Sequence, residues 1–260
     1  MGWTDMASHV KTEGAAFVVG GSGGLGRAIC TALAAQFKSV FFTYRTNLQA
    51  AEALAEQLAP ECAVGFTRID MMETASVQAA VDSAVERFGP LHAVVLASGQ
   101  QIEQPFVSQI TESEWLEVLQ VELMGFTRLI GATLPMFREQ NSGAYVSLSS
   151  VATASFPPGD AISAVPKAGI EMLSRALAKE EGRYGIRANC VAPGIINSGL
   201  GSALMKDLYT AEIWETQRKR VALRRFGTAD DVAQVVAFLA SDQSRYVTGQ
   251  TIYADGGFRL

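Results

Sequence analysis

The sequence has little of the two side chains that most often bind transition metals. Its 260 residues contain two histidines, His9 and His92, and three cysteines, Cys30, Cys62 and Cys190. The cysteines lie far apart and none belongs to a CxxC pair, so neither a disulfide framework nor a zinc knuckle is indicated. Two histidines argue against a His-rich metal site and against an ordinary Ser-His-Asp triad. We therefore expect no metal.

The sequence also lacks basic blocks and long apolar runs. Lys and Arg total 21 against 26 Asp and Glu, a net charge of −5, which argues against a nucleic-acid or anionic-membrane partner. No uninterrupted stretch of roughly 18 apolar residues predicts a membrane span. The first residues, Met1–Met6, have neither the basic start nor the apolar run of a signal peptide. We expect a cytoplasmic globular protein.

Short β-branched and aromatic runs alternate with helix-length segments along the chain. The strand candidates are Ala16–Gly20, Ser39–Tyr44, Val64–Asp70, Ala93–Ala97, Ala144–Leu148, Arg187–Ala192 and Thr251–Ala254. Several are almost wholly apolar, which is typical of parallel strands buried on both faces. With helices between the strands and no linker or repeat, this pattern predicts a single doubly wound α/β (Rossmann) domain over 1–260. Ligands of such folds bind beyond the carboxyl ends of the strands.

The first predicted strand leads into a glycine-rich turn that opens a helix. Its residues run Gly20-Gly21-Ser22-Gly23-Gly24-Leu25-Gly26. Glycines permit a tight turn and let backbone N–H groups approach a pyrophosphate at a helix N-terminus. The alternative is a flexible turn, but the strand-turn-helix context favours a dinucleotide site.

The second and third predicted strands end on residues that could bind adenosine. No Asp or Glu lies between Ala16 and Ala51, whereas Arg45 follows the second strand. An arginine suits a ribose 2′-phosphate, so NADP(H) is favoured over NAD(H), the alternative being a solvated surface charge. Asp70 is placed to accept a hydrogen bond from the adenine amine, or it is an ordinary turn or N-cap aspartate.

Motifs along nearly the whole chain resemble the short-chain dehydrogenase/reductase family, in its 3-oxoacyl-carrier-protein-reductase-like branch. Val19–Gly26 is similar to TGxxxGxG, with valine in place of threonine, and Leu96–Gly99 occupies the NNAG position. Pro193–Ser198 resembles the PGxxxT segment that closes over the nicotinamide. The C-terminal signatures resemble Arg225–Thr228, Val247–Gln250 and Asp255–Gly257.

The resemblance implies seven parallel strands, a small-molecule substrate and a homo-oligomer, either a dimer or a tetramer. It places a dimer surface on the helices around Thr111–Arg138 and Lys167–Arg183, and substrate-binding helices in Gly199–Arg220. It implies cofactor contacts from Gly20, Ser22, Gly23, Gly24, Leu25, Gly26, Tyr44, Arg45, Thr46, Asp70, Met71, Ala97, Ser98, Gly99, Lys167, Pro193, Gly194, Ile196 and Ser198.

The catalytic positions depart from the family pattern of Asn, Ser and YxxxK. Ser150 fits the family serine, and Lys167 fits the lysine. Ser163 stands where the tyrosine is expected, and Glu122 stands where the asparagine is expected. A serine hydroxyl is a far weaker acid than a phenol, so we expect Ser163 to orient substrate or water rather than to donate the proton.

Pro166 affects the geometry of this motif. Proline disfavours the α region at the preceding residue, Val165, and fits best in the first turn of a helix. The sequence therefore predicts a helix that starts near Val165, so that Ser163 and Lys167 need not share one face.

Glu122 lies on the apolar stripe of a helix opened by the capping box Thr111–Glu114. The stripe repeats at Trp115, Leu119, Glu122 and Phe126. A carboxylate there needs a partner, for which the resemblance supplies Lys167. Two alternatives stay open at this point: a proton relay with a raised pKa, or a structural ion pair.

The leading hypothesis is an NADPH-dependent reductase of a carbonyl or conjugated enone with a non-standard proton donor. Ser150 would bind the oxygen, Lys167 would bind ribose, and a water near Ser163 or Glu122 would supply the proton. One alternative is C=C reduction, because the SxxxK spacing also resembles the 2,4-dienoyl-CoA reductases of the same family. Another is an NADP(H)-binding protein with little or no redox turnover.

Overall fold

Seven strands and a series of helices alternate along the part of the chain that the structure describes. The computed structural model describes residues 11–99, 103–198 and 210–260. The strands are β1 (Thr12–Val19), β2 (Phe37–Tyr44), β3 (Ala63–Arg68), β4 (Leu91–Leu96), β5 (Gly143–Leu148), β6 (Ile186–Pro193) and β7 (Thr251–Ala254). The helices are α1 (Gly24–Ala34), α2 (Leu48–Leu58), α3 (Thr74–Phe88), α4 (Glu112–Gln140), α5 (Ala152–Ser155), α6 (Ala161–Glu181), α7 (Ala211–Arg220) and α8 (Ala229–Ala240).

The strands form one parallel sheet in the order β3-β2-β1-β4-β5-β6-β7. The order reverses direction at β1, where Val18 pairs with Phe42 of β2 on one side and Val95 of β4 on the other. The doubly wound fold with seven parallel strands is thereby confirmed. The predicted strand ends agree within two residues, except that β1 begins at Thr12, four residues before Ala16.

Side chains of each central strand alternate between two apolar layers. Ala16 and Val18 of β1 pack with α1, α2 and α8 on one face of the sheet. Phe17 and Val19 pack with α3, α4 and α6 on the other face. This double burial explains why these strands are apolar at successive positions rather than at alternate ones.

The carboxyl ends of the central strands meet at one edge of the sheet. The loop after β4 is tied to β1 by a hydrogen bond from Ala97 N to Val19 O of 3.0 Å. The loop after β5 is tied to β6 by Ser149 N donating to Val191 O at 2.7 Å. Most of the site residues expected from the sequence follow these strand ends and therefore share this edge.

The start of α6 differs from the sequence-based prediction. The helix begins at Ala161 rather than near Val165, so Pro166 is inside it. Proline has no N–H, and the carbonyl of Ile162 loses its helical donor as a result. Ala161 and Ile162 are buried, and the packing of this first turn offsets the local cost of the proline.

The longer helix corrects the expected geometry of the SxxxK motif. Ser163 and Lys167 are four residues apart within one helix and lie on the same side of it. Of the expected substrate-binding segment Gly199–Arg220, residues 199–209 lie outside the described residues, and α7 covers Ala211–Arg220. No helix among the described residues is both long and apolar enough to cross a membrane.

Candidate active site

The glycine turn after β1 is packed too tightly for larger residues. Gly20 has a φ of +79°, and a Cβ there would lie 2.8 Å from the backbone of Ser98 in the loop after β4. A Cβ on Gly26 would lie 2.1 Å from the Gly20 carbonyl oxygen, and one on Gly21 would lie 2.5 Å from Phe42. Only glycine fits these three positions, so the glycines in the sequence are enough to predict the shape of this turn.

The N-terminus of α1 opens at the edge of this turn. Gly23 is its N-cap, no side chain caps it, and the first turn holds no acidic residue. Gly23 and Gly24 are exposed, and Ser22 and Leu25 are half-buried. Uncapped N–H groups at a positive helix end suit a phosphate group. The turn thus fits the pyrophosphate of a dinucleotide.

Two arginines, Arg45 and Arg68, lie where β2 and β3 end. Arg45 and Thr46 are exposed, and Tyr44 packs edge-on against Phe66. Arg68 Nε donates a hydrogen bond of 3.1 Å to the carbonyl of Arg45. Arg68 was not among the residues expected from the sequence. Its register opposite Tyr44 places it at this site, and only strand pairing reveals that register.

Asp70 holds a local turn. Its Oδ1 accepts a hydrogen bond of 3.0 Å from Met72 N, whereas the N-cap of α3 is Glu73. Asp70 therefore holds a turn and does not cap α3, while its contact with adenine stays a prediction. Its Oδ2 accepts no hydrogen bond from the described residues. The neighbouring Met71 is buried against Gly125 of α4, and its carbonyl accepts a hydrogen bond from Arg128.

The loops after β4 and β6 flank the centre of the same edge. Ala97 and Ser98 are half-buried and Gly99 is exposed. Gly194 lies against Asp255, and a Cβ on it would be 2.7 Å from the Asp255 Cα atom. The remaining expected contacts of the β6 loop are Pro193 and Ile196, both buried, and Ser198, which is half-buried.

Ser150 lies directly beyond β5 within a braced loop. Its Oγ accepts a hydrogen bond of 3.1 Å from Ala152 N. The residues on either side of it, Ser149 and Thr153, both donate to Glu171 Oε1 of α6, the second at 2.9 Å. Glu171 is buried and was missed from the sequence, because it lies outside every motif. This carboxylate fixes the loop that presents Ser150.

Lys167 and Glu122 form a buried ion pair between α6 and α4. Lys167 Nζ lies 2.5 Å from Glu122 Oε2, and the two residues are 8% and 7% exposed. The expected partnership is therefore present in the fold. Of the two alternatives for Glu122, the ion pair is formed, whereas the proton relay stays a prediction.

Ser163 lies one turn before Lys167, next to a carboxylate that the sequence analysis missed. Asp160 precedes the first residue of α6, and its side chain is half-buried. Gln104 Nε2 donates to Asp160 Oδ1 at 3.0 Å, and the Ser163 side chain lies close enough to this carboxylate to lower its pKa. Burial raises the pKa of Asp160 to about 6, outweighing the lowering by Gln104 and Ser163. The mistaken helix start near Val165 hid this arrangement.

Comparisons with known proteins show which family this chain belongs to. The family model described as enoyl-(acyl carrier protein) reductase matches residues 19–259. The chain is 34% identical to 3-oxoacyl-(acyl-carrier-protein) reductase FabG of Staphylococcus aureus over 252 residues, covering 96% of this chain and all of that protein. It belongs to the short-chain dehydrogenase/reductase family. It is thus an oxidoreductase of a family that uses NAD(P).

Solved structures of the family share the fold over almost the full chain. A short-chain type dehydrogenase/reductase from Mycobacterium ulcerans has a TM-score of 0.89 at 26% identity, covering 96% of this chain and 92% of that one. Levodione reductase also has a TM-score of 0.89, at 32% identity, covering 95% and 98%.

This short-chain dehydrogenase/reductase holds its described tyrosines away from position 163. The phenol of Tyr145 is buried in β5, where burial raises its pKa and its Oη lies 2.7 Å from Thr133 Oγ1. Tyr44 packs on Phe66, Tyr184 lies beneath Arg138 and Arg183, Tyr246 is fully exposed, and Tyr253 lies beneath Arg259. Tyr209 lies outside the described residues. The part of the chain that the structure describes therefore offers no phenol for the position at Ser163, where the family resemblance leads one to expect a tyrosine.

Proposed function

We propose that the protein is an NADPH-dependent reductase of a carbonyl compound, with a proton donor other than tyrosine. The observation that carries the proposal is the common position of the glycine turn and the SxxxK residues at one edge of the sheet. Ser163 and Lys167 share one side of α6, and Lys167 is held by Glu122. A turn that suits a phosphate group and a set of polar side chains therefore share this edge of the sheet.

The bound reduced nicotinamide would supply the hydride, and the residues of this chain would hold the substrate. Ser150, fixed in its loop through Glu171, would donate a hydrogen bond to the substrate oxygen. Lys167 places a buried positive charge beside Ser163, which favours negative charge that develops on that oxygen. Glu122 keeps this lysine in position.

The preference for NADP(H) over NAD(H) is supported by charge at the end of β2. Arg45 is exposed there, Arg68 is bonded to its carbonyl, and no acidic residue lies between Ala16 and Ala51. An acidic side chain would bind a free 2′-hydroxyl, whereas guanidinium groups suit a 2′-phosphate. Asp70 is proposed to contact the adenine through its Oδ2.

Two substrate classes are supported. Ketone reduction is favoured because the named relatives are 3-oxoacyl-carrier-protein reductases and a levodione reductase. Reduction of a conjugated enone or enoyl thioester is the second candidate, because the matching family model is described as an enoyl reductase. The serine at position 163, where the resemblance leads one to expect a tyrosine, also supports it.

We also propose a homo-oligomer formed through the outer sides of α4 and α6. Leu116 and Met124 of α4 are 55% and 41% exposed, and Val165 and Met172 of α6 are 44% and 60% exposed. Apolar side chains so exposed favour burial against a second copy of the chain. The cytoplasmic location stays a prediction.

The test follows NADPH absorbance with a panel of ketones, quinones, enones and enoyl thioesters. We expect oxidation of NADPH with at least one ketone and a loss of about 10²-fold in rate for Ser150→Ala. Asp82→Asn, on the exposed surface of α3, is the control and should match the wild type. Tight NADPH binding without consumption by any compound would instead indicate a binding protein.

A further inference from the structure

Asp160 is a carboxyl group that the proposed mechanism does not yet use. It belongs to the segment between β5 and α6, and its hydrogen bond with Gln104 joins it to the loop after the neighbouring strand β4. Asp160 is therefore at the active edge of the sheet. Its Oδ1 accepts a hydrogen bond of 3.0 Å from Gln104, and the Ser163 side chain lies close to the same carboxylate. Both neighbours are neutral, and together they lower the pKa of this half-buried group less than burial raises it.

The backbone around Asp160 holds the carboxyl group in place. Asp160 N donates to the Pro157 carbonyl at 3.2 Å, and the Asp160 carbonyl accepts from Ala164 N at 2.8 Å. Gly159 has a φ of +85°, and a Cβ there would lie 2.8 Å from the Gln104 carbonyl oxygen. The turn is therefore pressed against the segment that supplies Gln104.

Asp160 at the N-cap of α6 and Ser163 and Lys167 in its first two turns lie along one side of this helix. Their spacing of three and four residues places them one above the other. Ser163 is thus between a carboxyl group and a buried lysine, at the position that the family gives to the tyrosine. A hydroxyl at such a point can pass a proton from one neighbour to another, because it both donates and accepts.

We propose that Asp160, acting through the Ser163 hydroxyl, supplies the proton for the substrate oxygen. The inference rests on the proposed carbonyl reduction. A reduced nicotinamide dinucleotide is the hydride source, and the hydride forms a C–H bond as the carbonyl π pair moves to oxygen. That oxygen takes the Ser163 proton while Asp160 passes its own proton to Ser163 Oγ. The products are an alcohol, the oxidised dinucleotide and the Asp160 carboxylate, which water reprotonates.

Burial, and not a neighbouring charge, raises the pKa of Asp160. No charged side chain among the described residues contributes to the raised pKa. Lys167 of α6 is paired with Glu122, Glu103 beside Gln104 is exposed, and α5 carries no titratable residue. A pKa of about 6 keeps part of the group protonated near neutral pH, and this fraction falls as the pH rises.

The first test is the pH profile of ketone reduction. We expect the wild-type rate to fall as the pH rises through about 6, because the donor form of Asp160 is lost. In Asp160→Asn the rate at pH 6 should be about 10²-fold lower and should no longer fall as the pH rises. In Asp160→Glu the fall in rate with rising pH should return. The matched control is Asp82→Asn, because Gln78 donates to Asp82 on α3 as Gln104 donates to Asp160.

Gln104→Leu separates proton supply from a structural role. Gln104 stabilises the charged carboxylate, so its removal raises the pKa of Asp160 further and moves the fall in rate to higher pH. A loop that is merely loosened would lose rate without this shift.

A final measurement uses protein without cofactor. In NMR of protein carrying ¹³C-labelled Asp carboxyl groups, one signal should titrate near pH 6, vanish in Asp160→Asn and persist in Asp82→Asn. Absence of that signal overturns the inference, as does an unchanged rate and pH dependence in Asp160→Asn. If the wild type binds NADPH but consumes none with any ketone, the proposed function fails and the inference fails with it, whatever the carboxyl titration shows.

Discussion

The turn after β1 and the segment from β5 into α6 meet at one edge of the sheet but are built by different means. The first is made of backbone, because Gly20, Gly21 and Gly26 are fixed by contacts that leave no room for a Cβ. The second depends mainly on side chains, because Glu171 braces the loop of Ser150 and Glu122 pairs with Lys167. The turn after β1 can thus keep its shape while side chains around Ser163 differ.

The largest effect is expected for Gly26→Ala in the backbone-built region. Its Cβ would lie 2.1 Å from the Gly20 carbonyl oxygen, so the turn must open. We expect NADPH binding to be lost and the free energy of unfolding to fall by about 3 kcal/mol. Fluorescence titration and urea unfolding measure the two.

The matched control is Gly131→Ala in α4, where a Cβ would meet nothing within 4 Å. It should keep NADPH binding and gain up to about 1 kcal/mol, because alanine favours helix. If Gly26→Ala and Gly131→Ala had the same NADPH affinity and the same free energy of unfolding, the turn after β1 would not depend on the close contacts of its glycines.

In the side-chain-built region, Lys167→Met should be the most destabilising change. It breaks the buried ion pair with Glu122, which costs about 3 kcal/mol in the free energy of unfolding. The double variant with Glu122→Gln should recover much of this loss, since the charge of the carboxylate is removed together with that of its lysine. Lys38→Met removes the exposed pair with Glu13 and should cost less than about 1 kcal/mol.

The same difference explains which features could be predicted from the sequence. Apolar runs predicted all seven strands, and the glycine spacing predicted the turn after β1, because residues close together in the sequence determine both features. Glu171 and Asp160 were missed because their roles depend on which loops α6 packs against. The local preference of Pro166 misplaced the start of α6, since burial of Ala161 and Ile162 decided it.

A smaller effect is expected when a phenol is returned to position 163. Ser163→Tyr should raise the rate of reduction of simple ketones about tenfold, because a phenol beside Lys167 is a better acid than a hydroxyl. The rate of this variant should also no longer depend on Asp160. The double variant Ser163→Tyr with Asp160→Asn should therefore have the same rate as Ser163→Tyr alone. An unchanged rate would mean that the pocket no longer takes such ketones.

A smaller effect still is expected at the edge of the proposed nucleotide site. Arg45→Gln should weaken NADPH binding about fivefold, equivalent to about 1 kcal/mol, and leave NADH binding unchanged, because only NADPH carries the 2′-phosphate. Arg245→Gln, at an exposed residue after α8, is the control. Equal losses for NADPH and NADH would show that Arg45 does not contact the 2′-phosphate.

The most direct test of proton delivery without a phenol is the rate of NADPH oxidation in Tyr209→Phe. Of the six tyrosines, Tyr209 is the one outside the described residues, and this change removes only its hydroxyl. Our account predicts a rate within about twofold of the wild type on the best ketone. A fall of about 10²-fold, the range expected for loss of a general acid, would contradict it.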